Sequence, residues 1–433
     1  MDIYDNQALP FTHVSVVGLG YIGLPTAAIL ASRKIRVTGI DVNQTAIDTI
    51  NRGEIHFIEP ELDMLVHAAV AEGYLQATQQ PLPAEAFLIA VPTPFKEGHQ
   101  PDLSFIKAAS QSIAPVLQKG NLVILESTSP VGATEKMAAW LADVRPDLSF
   151  PQTHGEQSDI RIAYCPERVL PGHVLHELVQ NDRVIGGMTP ACSAKAVQLY
   201  KLFVEGECIV TQARSAEMCK LTENSFRDVN IAFANELSII CDKLDINVWE
   251  LIQLANRHPR VNILQPGPGV GGHCIAVDPW FIVSSSPDEA KLIATARQVN
   301  DSKPAWVVNK VKSSVAAFLT ENPDKTARDV TITCCGLTFK ADIDDLRESP
   351  ALAITCEIAA SHPGHVLVVE PNIKVLPVAL TGLVELRGME DALSETDIVV
   401  ILVGHKSFKD RHVELHNKYK IVDVRGVGPS GVT

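Results

Sequence analysis

The stretch "HVSVVGLGYIGLPTAAILASRKIRVTGIDVN", His13 to Asn43, decides the fold. A β-branched run ends at Gly18, the chain turns through Gly20 and Gly23 into an apolar helix, and a second strand-like run leads to Asp41. Two such runs on either side of a helical segment define a β-α-β unit. The glycines follow the pattern G-x-G-x-x-G. The first permits a tight turn, the second lets the backbone approach a pyrophosphate, and the third lets the helix lie close on the strand. N–H groups at the helix start would then face phosphate. Asp41 lies 18 positions beyond Gly23, at the end of the second strand. There it accepts hydrogen bonds from a ribose diol and repels a 2′-phosphate, so NAD is the expected cofactor rather than NADP.

Outward from this unit, strand-like runs recur at "AFLIAVPTP" (86–94), "NLVILESTSPVG" (121–132) and "IRIAYCPERV" (160–169), each ending in a polar or proline-bearing loop. Runs of this kind separated by helical stretches predict a parallel sheet covered on both faces. Ligands of such sheets bind at the strands' carboxyl ends, which makes Thr93, Thr128 and Thr134 contacts for cofactor or substrate, or else ordinary turn formers. From about 213 to 254 the pattern becomes long helix, with a second helical stretch at 288–319 beyond a glycine-rich loop. "TENPDKTARD" reads as a linker. Strands then return in "DVTITCCGLTF", "HVLVVEPN", "DIVVILVG" and "KYKIVDVRG". The expected fold class is α/β, with two Rossmann-like parallel-sheet domains joined by a central helical domain. The expected boundaries are 1–210, 211–320 and 321–433.

Composition narrows the function. The chain has 433 residues, 46% hydrophobic and 20% charged, which is ordinary for a globular protein of two or three domains. Its formal charge of −14 disfavours nucleic acid and acidic membranes, so a polyanionic ligand needs a local basic pocket. The start has no basic region followed by an apolar run, and no uncharged apolar run reaches about 18 residues, so a cytoplasmic protein is expected. Nine cysteines without a CxxC pair suggest neither a disulfide framework nor a zinc site, and no metal is expected. Cys192, Cys208, Cys219, Cys241, Cys334, Cys335 and Cys356 lie in apolar or helical contexts and read as small hydrophobes.

Cys274 differs. It lies in "GPGVGGHCIAVDP" (267–279), where glycines at 267, 269, 271 and 272 free the backbone and let N–H groups converge on a thiol. A thiolate is the nucleophile, so cationic neighbours such as Lys220 would be needed to lower its pKa, with the adjacent His273 a further candidate. In "AEMCKLTENSFRDVNIAFANEL", Lys220, Asn224 and Arg227 fall at i, i+4 and i+7 on one helix face. That helix is apolar over much of its circumference and reads as buried, so the polar stripe would line a site. The alternative is a solvated face with a Glu223–Arg227 ion pair. Asp278 is placed to act as a base, or to orient Lys220 or a water. A nicotinamide beside a nucleophilic cysteine implies oxidation of an alcohol to an aldehyde, capture as a thiohemiacetal, a second oxidation to a thioester, and hydrolysis to a carboxylate. Lys220 and Asn224 would stabilise the oxyanion.

Together "VVGLGYIGLP", "VPTP", "STSPVG", "CPERVLPG", "KLTENSFRDVNIAFANE", "GPGVGGHCIAVDP" and "GLTFKADIDDLRESP" resemble the UDP-glucose/GDP-mannose 6-dehydrogenase family over roughly Val14 to Gly426. In detail the pattern is most similar to the branch that oxidises UDP-N-acetyl-D-mannosamine to the uronate for bacterial surface polysaccharides, including enterobacterial common antigen. The resemblance implies a homodimer through the long central helix and a UDP-sugar-binding C-terminal domain. It makes Cys274 the nucleophile, Lys220 the proton donor or acceptor, Asn224 an oxyanion partner, and Asp278 the support for the water step. With Gly18, Gly20 and Gly23, it implies NAD contacts from Tyr21, Ile22, Asp41, Thr93 and Thr134, and from Arg347 to the phosphates. It gives Phe339 and Lys340 to the nucleotide sugar, with Arg168, Val169, Lys220, Asn224, Arg227 and Gly271. His258 and Arg260 would reach a neighbouring subunit's substrate. Two departures bear on the sugar. Pro171 stands where UDP-glucose dehydrogenases carry a second glutamate four positions after the one matching Glu167, and Arg168 replaces an apolar residue. Both favour a different sugar, such as an N-acetylated one. UDP-GlcNAc or UDP-glucose remain alternatives, as does a two-electron β-hydroxyacid dehydrogenase, which needs neither the cysteine nor the second sheet domain.

Overall fold

In the computed structural model, which describes residues 10–428 apart from 58, 170, 171 and 273, the His13–Asn43 unit opens a sheet of eight strands. His273 and Pro171 lie outside the described residues. In chain order the strands are β1 (His13–Val17), β2 (Arg36–Ile40), β3 (Leu75–Thr78), β4 (Ala86–Ile89), β5 (Leu122–Leu125), β6 (Arg161–Tyr164), β7 (Arg183–Gly187) and β8 (Cys208–Gln212). They are arranged β3-β2-β1-β4-β5-β6-β7-β8. Strands β1 to β6 are parallel, as expected, with Val14 opposite both Val37 and Ala86. The sheet departs from the expectation at its far edge, where β7 runs antiparallel to β6 and carries β8 parallel to itself.

Side-chain alternation explains why both faces are covered. On β5, Leu122 and Ile124 join one buried cluster while Val123 and Leu125 join another, and on β4 Leu88 and Phe87 divide the same way. A strand that is apolar at every position can be buried only between two layers. The later strands repeat the scheme. β9 (Ile332–Cys335), β10 (Val366–Val369), β11 (Glu385–Leu386), β12 (Ile398–Ile401) and β13 (Lys420–Asp423) form an all-parallel sheet ordered β11-β10-β9-β12-β13. Val366 and Val368 face one cluster, Leu367 and Val369 the other. In each sheet the strand order reverses beside the first strand, between β1 and β4 and between β9 and β12, and such switch points open a crevice for ligands.

The chain divides into two compact units, 1–223 and 224–433. The Ala213–Lys243 helix starts in the first and ends in the second. The second unit adds the helices Val248–Ala255, Asp278–Ser285 and Lys291–Glu321 to the five-stranded sheet. One expectation fails here. The 213–243 helix is not buried all round: Met218, Phe226, Phe233 and Ile240 are exposed, Phe226 by 71%. Its apolar residues therefore serve a face left open as well as the core. No helix among the described residues is long and apolar enough to cross a membrane.

Candidate active site

In the first unit the glycine turn is built as its sequence requires. Gly18 has φ of 91°, and a Cβ there would sit 2.7 Å from the Ala90 carbonyl oxygen; one on Gly23 would strike the Gly18 carbonyl. Gly20 faces open space. The Gly23–Ser32 helix begins with neither a capping side chain nor an acidic residue in its first turn, so its leading N–H groups are available to an anion. Asp41 is half-buried and braces the turn, its Oδ2 accepting from Leu19 N–H (2.8 Å) and its Oδ1 from Asn43 N–H (2.9 Å). Tyr21 stacks near Phe57, with ring centroids 4.4 Å apart, and Ile22 directly precedes the helix. Thr93 is buried, and its hydroxyl has no hydrogen-bond partner among the described residues. An open glycine, an uncapped helix start and an orphaned hydroxyl at the strand ends fit a dinucleotide.

Thr134 is placed otherwise. Its hydroxyl and N–H both donate to Glu217 (2.6 and 2.8 Å), which also takes Gly132 N–H (2.6 Å). The fully buried Glu217, which sequence reading overlooked, thus ties the "STSPVG" loop to the 213–243 helix. Burial pushes the Glu217 carboxyl up, against those three hydrogen bonds. Arg168 pairs with Glu223 (2.7 Å), so Glu223 is engaged across 55 residues by Arg168. Val169 packs at the edge of the core. Gly172 and Val174 N–H both donate to the Glu59 carboxylate (both 2.9 Å). Lys220 is buried in this unit.

In the second unit the cysteine loop is fixed at both ends. Gly267 N–H donates to Asn235 (2.8 Å), Asn235 to Asn300 (2.9 Å), Asn300 to Asp228 (2.8 Å), and Asp228 pairs with the buried Arg297 (2.6 Å). Gly271 and Gly272 lie against Phe339: a Cβ on Gly271 would be 2.8 Å from the Phe339 Cβ, and one on Gly272 2.9 Å from its ring. Gly272 N–H also donates to the Arg347 carbonyl (3.1 Å). The structure therefore brings together the glycine loop, Phe339 and the 345–350 segment, which sequence spacing leaves far apart. Lys340 is exposed, while the Arg347 guanidinium engages Asp345 (2.6 Å). Cys274 opens a turn whose carbonyl accepts from Val277 and Asp278 N–H (3.1 and 2.9 Å), and Asp278 begins the next helix. Buried Asp278 accepts from Asn224 Nδ2 at 2.5 Å, joining two predicted catalytic side chains. Arg227, His258 and Arg260 are exposed, and Arg260 N–H donates to His258 Nδ1 (3.3 Å).

None of the nine cysteines is in a disulfide, and Cys274 is the exposed one. Burial pushes the Cys165 and Cys334 thiols up to about 12 and raises Cys335 further. Such thiols are inert. A cavity of about 740 Å³ lies elsewhere in this unit, between Ser238, Trp249, Lys303, Trp306 and β13, and none of the predicted site residues lines it. Lys303 there is held by Ser238 Oγ (2.5 Å) over the Trp306 ring (3.6 Å), and burial lowers its pKa to about 7.

A Rossmann-like half suited to a dinucleotide, followed by a helical segment presenting one exposed thiol and then a second Rossmann-like half, defines the class as a nucleotide-sugar dehydrogenase. The matching family models agree in order: the NAD binding domain over residues 12–204, the central domain over 214–302 and the UDP binding domain over 333–428. The chain belongs to the UDP-glucose/GDP-mannose dehydrogenase family; it is an enzyme, and its cofactor is NAD. It is 66% identical over 419 residues to the UDP-N-acetyl-D-mannosamine dehydrogenase of Yersinia pestis, covering 97% of this chain and 100% of that one. It is 64% identical over 419 residues to the NDP-N-acetyl-D-galactosaminuronic acid dehydrogenase of Ralstonia nicotianae, covering 97% of each. A solved UDP-D-ManNAc dehydrogenase of Pyrococcus horikoshii superposes with a TM-score of 0.85 at 37% identity, over 97% of each chain.

Proposed function

We propose that the protein oxidises UDP-N-acetyl-D-mannosamine at C6 to UDP-N-acetyl-D-mannosaminuronate in two steps, through a covalent adduct on Cys274. The observation that carries this reading is the exposure of Cys274 in a loop packed on Phe339, while other thiols are buried or half-buried. The names of the Yersinia pestis relative and of the Pyrococcus horikoshii structure supply the sugar. Bound in the first unit, NAD supplies a hydride acceptor for each oxidation.

Lys220 takes the proton from the C6 hydroxyl in the first step. The Cys274 thiolate then adds to the aldehyde carbon, and the oxygen becomes an oxyanion that Asn224 and Lys220 stabilise. The tetrahedral thiohemiacetal again carries a removable hydrogen, so a second oxidation gives a thioester. Asp278 supports the water that releases the carboxylate, and its bond to Asn224 fixes which way that amide points. Arg168, Val169, Arg227, Gly271, Phe339 and Lys340 hold the sugar nucleotide, and Gly18, Gly20, Tyr21, Ile22, Gly23, Asp41, Thr93 and Arg347 hold NAD, while Thr134, bonded to Glu217, supports the loop beside it. The product is a uronic acid donor for bacterial surface polysaccharide.

A panel of UDP-ManNAc, UDP-GlcNAc, UDP-GalNAc and UDP-glucose, each with NAD, tests the reading. Two NADH per UDP-ManNAc consumed are expected, with slower turnover of the others. One NADH with a stable carbonyl product, or preference for UDP-GalNAc or UDP-glucose, would overturn it.

The same reading includes a homodimer. Phe226, Phe233 and Ile240 recur every seven residues along the 213–243 helix and are exposed, which forms one apolar stripe suited to a second copy of itself. Phe226→Glu with Phe233→Glu should convert a dimer to a monomer in light scattering. A wild-type monomer at micromolar concentration would sink this part.

A further inference from the structure

Beneath the "CPERV" loop lies a buried ionic chain that the mechanism above does not use. Glu167 pairs with Arg183 (2.6 Å), and Arg183 also donates to the Leu178 carbonyl (3.0 Å). The guanidinium lies 5.6 Å from the centre of the Tyr200 ring, and Tyr200 Oη donates to Glu126 (2.7 Å). Glu126, Glu167, Arg183 and Tyr200 are all buried. Glu126 directly follows β5 and precedes the "STSPVG" loop, while Glu167 precedes Arg168 and accepts its N–H (2.6 Å). The chain thus links the loops that leave two neighbouring strands.

We propose that Glu126 is a positioning residue: by bonding to Tyr200 rather than competing for Arg183, it leaves Arg183 to Glu167 and so fixes the loop that presents Arg168 and Val169 to the sugar nucleotide. The inference rests on the substrate-contact reading of that loop given above.

Charge counting supports it. The cluster holds two carboxylates and one guanidinium away from water, and one cation balances one anion. The groups facing Glu126 are Tyr200 from the 190–200 helix, Arg183 from β7, and Cys165 and Glu167 from the segment after β6. Burial holds the Tyr200 hydroxyl and the Cys165 thiol in their neutral forms. Glu126 Oε2 has no hydrogen-bond partner among the described residues, so no described protein donor stabilises a second negative charge there. Burial lifts the Glu126 carboxyl to about 7, against the Tyr200 hydrogen bond. Below that pH the cluster is balanced. Above it, an ionised Glu126 draws Arg183 away from Glu167 and loosens the loop.

The test compares wild type with Glu126→Gln, which keeps the side-chain shape but cannot ionise, using UDP-ManNAc and NAD across pH. The ratio of wild-type to variant KM for the sugar nucleotide should rise about tenfold between about pH 6 and about pH 8.5, with a smaller change in kcat. Parallel KM profiles would overturn the inference. Hydrogen exchange of the Glu167–Val169 amides in wild type, corrected for intrinsic rates, gives a readout that needs neither turnover nor the variant. Protection there should fall above about pH 7 while β5 stays protected, and constant protection would overturn the inference. If no sugar nucleotide is oxidised, the functional reading fails while hydrogen exchange still decides whether Glu126 holds the loop.

Discussion

After β1 the chain turns at Gly18 with φ of 91°, and after β9 it turns at Gly336 with φ of 97°. In both turns a leucine N–H donates to the acidic residue that follows the neighbouring strand: Leu19 to Asp41 (2.8 Å) and Leu337 to Glu370 (2.7 Å). From there the two halves diverge. The first continues through Gly20 and Gly23 straight into a helix. The second places Thr338 and Ala341 at those positions and delays its helix to Pro350. Asp41 is half-buried and lies beside an open glycine, whereas Glu370 is buried and further occupied by Thr338 N–H (3.3 Å), Asn372 N–H (3.0 Å) and His405 Nε2 (3.0 Å). Burial alone would raise the Glu370 carboxyl, but these partners hold it below its ordinary value. The same turn therefore becomes a cofactor site when its acid keeps acceptor capacity, and a structural staple when protein groups consume it.

The largest test of this contrast lies outside both turns. Cys274→Ser should lower uronate formation by roughly a thousandfold or more while leaving NAD affinity near wild type, because the thiol belongs to the second unit and the dinucleotide contacts lie mostly in the first. A variant that also loses NAD binding would break the division of labour. Next, Asp41→Ala should raise the Kd for NAD by about 10- to 100-fold, since it removes the proposed diol acceptor and the brace on Leu19. Glu370→Gln should leave that Kd unchanged yet destabilise the second unit by about 2 to 4 kcal/mol in urea unfolding, because it breaks a buried carboxylate–histidine arrangement. Equal effects of the two substitutions on NAD would dissolve the comparison.

A smaller effect separates the halves by pH. Glu126 in the first unit and Lys303 in the second are both driven toward their neutral forms by burial, so their contributions run in opposite directions. A lysine whose folded pKa is lowered destabilises the fold fully below about pH 7, and the penalty fades as pH rises toward its unfolded value of 10.5. Lys303→Met should therefore stabilise the protein by roughly 2 to 4 kcal/mol near pH 6, with the gain shrinking by about pH 9. A gain that grows with pH would contradict the assignment.

Much of this was legible in the sequence because it is local. The G-x-G-x-x-G turn, the Asp41 spacing, the strands that are apolar at every position and the cluster of glycines before Cys274 lie within short windows, where period and turn chemistry act directly. The short strands β3, β7, β8 and β11 are not legible in the sequence: β8 has mostly exposed or half-buried residues, which gives no alternation to detect, and β7 ends in two glycines. Glu217, Glu126 and Arg183 were invisible for another reason. Their roles come from partners 16 to 85 positions away, and an isolated buried acid carries no local periodicity. The 213–243 helix misled because apolar residues around a helix read as burial whether the covering surface is the chain's own core or lies outside it.

That helix has a mechanical consequence. Its 31 residues contain neither glycine nor proline, so about 46 Å of backbone crosses from one unit to the other without a built-in joint. Lys220 falls just before the crossing and Asn224 just after it. Their angular phase is thus set by one turn of continuous hydrogen bonding, like two marks cut on a single axle.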